Sequence, residues 1–242
     1  MFAKPVMKHA LTAVSLIVAL TAASFALAGP VADFETGFRT TYASYRMALF
    51  ATNTGDAEKS KHAIGEFDSR WDALVSESAA TPPPHYADDP AWGTTLTEVS
   101  DSIAKAGQLA EQGKLADAHE VLEHVRDAIG ELHARNGIVL FSDRMNAYHA
   151  RMEQVIGLPV TDAAGKQQLL EQSAVLAYLA EDMLKAPPVE ARGNPEFEKL
   201  AEAVKASVAA LQTAARSGDE GAIKAAASGL KKPYSMLFLK FG

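Results

Sequence analysis

Apolar residues along this chain recur at helical spacing, and few stretches show the alternation of a strand. Phe34, Phe38, Tyr42, Tyr45 and Leu49 define one helix face between about 34 and 53. Ile64, Phe67, Trp71 and Leu74 define a second over about 57–78, and Trp92, Leu96, Val99, Ile103 and Ala106 a third. Ala118, Leu122, Val125, Ile129 and Leu132 define a fourth, from Leu115 to about Asn136. Breakers separate them. "TNTGD" ends the first and offers Thr54 or Asp56 as cap for the second. "ATPPPHYADDP" is a stiff crossing whose Asp89-Pro90 reads as a cap followed by the first residue of a helix. "EQGK" precedes the fourth. The pattern predicts an all-α fold.

The same punctuation returns further on. Pro82-Pro83 matches Pro187-Pro188, Pro90 matches Pro195, Gly113 matches Gly218 and Gly137 matches Gly242, always at an offset of 105 (187 less 82, for example). Trp92 with Phe197, Val99 with Val204, Ile103 with Val208 and Leu74 with Leu179 keep that offset, as does Arg46-Met47 with Arg151-Met152. An ungapped series of this kind predicts a tandem duplication. The expected organisation is a four-helix bundle over 29–137 and a second over 138–242, each running up-down-up-down. "LKKPYSMLFLKFG" then reads as the last helix of the second bundle, kinked at Pro233.

Residues 1–28 stand apart from this pattern. Lys4 and Lys8 form a basic start, Ala10–Ala28 carries no charge, and Ala26-Leu27-Ala28 fits a signal-peptidase site. We expect a cleaved signal peptide, a periplasmic location and no stable membrane anchor afterwards. Removal of two lysines and no acid moves the net charge from −7 to about −9, which disfavours nucleic acid as a partner. Cysteine is absent, so thiolate metal sites, thiol catalysis and covalent c-type haem are excluded. No nucleophile elbow, phosphate loop or nucleotide fingerprint occurs, and the expectation is a protein that is not an enzyme.

The candidate chemistry lies on the fourth helix, where "ADAHEVLEHVRDAIGELHARNG" holds three of the seven histidines. His119, Glu123, Arg126, Gly130 and His133 follow 4-3-4-3 spacing and share a stripe beside the apolar face. Antiparallel packing would set His133 near the start of the first helix, His119 near its end, and Glu123 and Arg126 beside Tyr42, Tyr45 and Arg46. One reading is a boundary of paired charges. The sharper one is a transition-metal site: His119 with Glu123 and His149 with Glu153 each set an imidazole and a carboxylate four residues apart, donors suited to Zn, Cu, Ni or Fe. A tight turn at 137–141 would bring His133, His149, Glu153 and Arg126 to the junction of the bundles. His62, His85, His124 and Glu120 read as surface residues, and Met145, Tyr148 and Met152 as core. A metal ion or a periplasmic protein is the expected partner.

From "ATPPPHYADDPAW" through "AEQGKLADAHEVLEHVRDAIGELHARNG" the unit resembles the soluble b-type and c′ cytochromes, exported four-helix bundles that carry haem near one end. The resemblance implies haem as an alternative ligand. In the b-type family a His late in the fourth helix and a Met early in the first bind iron, and His133 falls at the His position. No Met occurs at Tyr42–Ser44, and Met47 lies a turn later. In the second unit Phe238 replaces the His, and His149 matches Ser44 at the 105 offset. The Cys-x-x-Cys-His of the c′ family is missing.

Overall fold

The computed structural model describes residues 29–242, and the expected signal peptide lies outside them. Every regular element among the described residues is helical, and none is long and apolar enough to cross a membrane. The helices are α1 (Pro30–Thr54), α2 (Ala57–Ser78), α3 (Trp92–Glu111), α4 (Leu115–Arg135), α5 (Phe141–Ile156), α6 (Ala163–Lys185), α7 (Pro195–Ser217), α8 (Glu220–Ser228) and α9 (Lys231–Phe241). Two short 3-10 turns, Pro84–Tyr86 and Val189–Ala191, sit in the proline crossings.

Local chemistry explains most of the boundaries. α1 starts earlier than its apolar face, because Pro30 suits a first-turn position. It stops at Gly55, whose φ of 76° is left-handed. Of the two expected caps for α2, Asp56 does the capping, accepting the Lys59 amide. Asp89-Pro90 does not open α3, which begins at Trp92. The Asp89 carboxylate accepts the Ala91 amide, Asn136 Nδ2 and Arg135 Nη2 at 2.9, 2.9 and 3.2 Å, closing a turn and tying it to the end of α4. Burial would raise its carboxyl pKa, but these donors hold it below the usual value. In the second crossing, Asn194-Pro195 does act as cap and first helical residue. The last helix is interrupted rather than kinked: α8 ends at Ser228 and α9 begins at Lys231. Pro233 offers no amide to the Gly229 carbonyl four residues back, so the ladder fails one turn ahead of the proline.

In the first group α1 packs on α2, α2 on α3, α3 on α4 and α4 back on α1, around a core that includes Tyr45, Phe67, Trp71, Val99, Ile103 and Leu122. In the second, α5 packs on α6, α6 on α7, and both α7 and α5 on α8 and α9, around Met145, Tyr148, Met152, Leu169, Leu176 and Val204. α1 also touches α9, and the ring of Phe238 packs against both cores.

Buried positions recur between the groups. Ile64 and Leu169, Trp71 and Leu176, Val99 and Val204, and Leu132 and Leu237 are all buried at an offset of 105. α1 and α5 keep a different register. Phe38 and Phe141, Tyr42 and Met145, Tyr45 and Tyr148, and Leu49 and Met152 are buried pairs at an offset of 103. The expected match of Met47 with Met152 therefore fails: Met47 is 49% exposed and Met152 only 1%. The connection at 157–162 is longer than that at 55–56, and it absorbs the shift.

Candidate functional site

The stripe on α4 faces the junction between the two groups, where α5 and α9 extend it into a row of alternating charges. His119 Nε2 lies 3.9 Å from Glu123, Glu123 3.5 Å from Arg126, and Arg126 Nη1 3.3 Å from His149 Nδ1. His149 Nε2 lies 3.7 Å from Glu153, which Lys231 approaches to 3.2 Å. Because the guanidinium can only donate, His149 Nδ1 accepts and its ring proton belongs on Nε2, facing Glu153. Tyr234 stacks on the imidazole at 5.1 Å. Burial and the Arg126 charge lower the His149 pKa, keeping the ring neutral. The row joins both expected His/Glu pairs but inserts a cation between them, and a second cation sits on Glu153. No group of three or more His, Cys, Asp or Glu side chains that could hold a metal occurs among the described residues.

His119 is oriented differently. Its Nδ1 meets Thr52 Oγ1 at 3.0 Å and the Leu49 carbonyl at 3.2 Å, near the end of α1. The Thr52 hydroxyl donates within its own helix to the Ala48 and Leu49 carbonyls. Nδ1 thus donates into α1, and Nε2 faces Glu123. A Cβ built on Gly130 would meet nothing within 4 Å, so this glycine makes no close helix contact.

His133 does not join His149. It is 1% exposed, lies edge-on to Phe38 near the start of α1, and donates from Nδ1 to both Asp143 oxygens at 2.9 and 3.0 Å. Asp143 also accepts the Leu140 amide at 2.7 Å, so one carboxylate caps α5 and ties it to α4. The sequence reading missed Asp143; an acid in the first turn after a loop was the available signal. His133 Nε2 is buried without a partner among the described residues. Phe38 and Tyr86 lie against its ring at 5.7 and 6.5 Å, and Met47, a turn beyond the position where the b-type family has its Met, is exposed. His85 also departs from expectation, since its Nε2 pairs with Glu35 at 2.8 Å and its side chain is mostly covered.

Tyr42 and Arg46 turn away from the stripe toward a cleft that the sequence reading did not foresee. It has a volume of about 590 Å³ and lies between α1, the 139–142 segment, the Pro187-Pro188 crossing and the end of α9. Phe38, Tyr42, Phe141 and Phe241 are its buried aromatic wall, while Val139 and Val189 stand exposed at its margin. Its charged groups are mostly satisfied: Arg39 by Glu190 at 2.9 Å, Lys240 by Glu196 at 3.0 Å, and Glu35 by His85. Arg46 differs. It donates Nε to the Leu239 carbonyl at 3.3 Å and Nη1 to an oxygen of Gly242, the last residue given, rather than to an Asp or Glu side chain. No protein-family model, curated protein or solved structure matches this chain.

Proposed function

We propose that this chain is an exported, periplasmic binding or accessory protein without catalytic activity, built by duplication of a four-helix unit, and that it holds a small ligand between the two copies. The observation that carries the reading is the cleft of about 590 Å³ with an aromatic wall and a buried arginine. Its size falls among small-molecule sites, which run from about 300 to 1,000 Å³ and combine apolar linings with few polar anchors. Recurrence of buried positions at 105, with a shifted first helix, supports the duplication. The test is titration with an environment-sensitive apolar fluorophore, comparing wild type with Ala43→Trp, which fills the cleft from α1. Stoichiometric binding by wild type and its loss in a folded variant are expected. Equal binding by both proteins would place the ligand elsewhere.

A second reading keeps the transition metal. The orientation of His119, held at Nδ1 by α1 with Nε2 facing Glu123, favours it, and His149 with Glu153 is the other expected pair. Two protein donors per ion imply weak binding, because Zn sites ordinarily take three or four. Elemental analysis and titration with Zn, Cu, Ni and Fe test it. Affinity unchanged in both His119→Ala and His149→Ala would remove these ligands from consideration.

A further inference from the structure

We infer that the cleft beside α1 takes uncharged, largely apolar molecules and discriminates against ionic heads of either sign. This rests on the proposed cleft function and adds its ligand class. Phe38, Tyr42, Phe141 and Phe241 supply the apolar wall, and the rings of Phe38 and Tyr42 stack at 5.8 Å. The charged side chains on the lining are already engaged. Arg39 meets Glu190 at 2.9 Å, Lys240 meets Glu196 at 3.0 Å, and Glu35 meets His85 at 2.8 Å. Arg46 spends Nε on the Leu239 carbonyl and Nη1 on an oxygen of Gly242. The Arg39–Glu190 pair joins α1 to the second proline crossing, so it spans the cleft between facing walls.

An anionic head entering here competes with oxygens that already hold the cations, and a cationic head competes with the groups that hold the glutamates. Either one loses its water against an aromatic surface and gains no new counter-charge, which disfavours it. A neutral molecule avoids that cost. The remaining polar side chains on the lining, Thr40, Tyr42 and Ser142, are hydroxyls, which can meet an uncharged polar group by hydrogen bonding. Burial pushes the Tyr42 pKa up to about 12, so this hydroxyl adds no charge at neutral pH.

The experiment is calorimetric titration of the folded chain at neutral pH with three probes that share one apolar body: 2-naphthalenemethanol, 2-naphthoate and 2-naphthylmethylammonium. The alcohol should bind about tenfold more tightly than either ion, the scale of desolvating a charge without a new partner. Two readouts locate the site. Ala43→Trp should abolish binding of the alcohol. In wild type, ring currents of the bound alcohol should shift the methyl resonances of Val139 and Val189, which stand exposed at the margin, and this readout decides alone should the variant fail to fold. An ion that binds as tightly as the alcohol, with those methyls shifted, overturns the ligand class and leaves the cleft standing. Binding of the alcohol that shifts neither valine and survives Ala43→Trp puts it elsewhere and overturns both. Absence of binding by all three probes also sinks the class and the cleft together.

Discussion

His149 is neutral because burial, and then the Arg126 charge on one nitrogen, outweigh the carboxylates of Glu153 and Glu123. Its folded pKa lies below the unfolded value of about 6.5. As pH falls from about 7.5 to 5.5, the unfolded chain takes up a proton that the folded chain resists, so stability declines through that window. Denaturant midpoints at both pH values should show the decline, and His149→Gln should reduce the slope. An unchanged slope would mean that the ring takes up its proton equally readily in the folded and unfolded chains. The stripe carrying Arg126 was legible in the sequence because 4-3-4-3 spacing on a helix is geometry. Its neighbours were not. Tyr234 and Lys231 reach it from a helix about one hundred residues away, and no local pattern announces such a meeting.

At the scale of elements, apolar periodicity found all four helices of the first group, since burying one face is what holds each helix in place. It misplaced ends where a polar group had other employment, as at Asp89, whose carboxylate clasps Arg135 and Asn136 instead of starting α3. The turn into α6 is closely packed backbone. Asp162 accepts the Gly165 amide at 2.8 Å, and a Cβ on Gly165 would run into the Pro159 carbonyl oxygen. Gly165→Ala should therefore cost about 1–3 kcal/mol through strain, although alanine ordinarily improves a helix. A denaturation midpoint equal to or above that of wild type would show that the turn relaxes freely.

Across the whole molecule, two cores meet through few side chains. Phe238 packs on both, His133 binds Asp143, Arg126 meets His149, and Arg39 meets Glu190. Phe238→Ala should destabilise the chain by about 2–3 kcal/mol. It should also split one calorimetric transition into two, as each core loses its contact with the other. A single transition of unchanged width would assign the coupling to the polar links. The cleft could not be read from the chain, because its walls come from four separated segments whose residues look ordinary in isolation.

The shifted register of α5 has a practical consequence for engineering. Two residues correspond to a rotation of about 200° around a helix axis. At the offset of 103 that burial obeys, the counterpart of Arg46 is His149, and Ser44 corresponds to Ala147. A side chain grafted from α1 onto α5 by alignment at 105 would therefore point to nearly the opposite side of its helix, away from the place it was meant to reproduce.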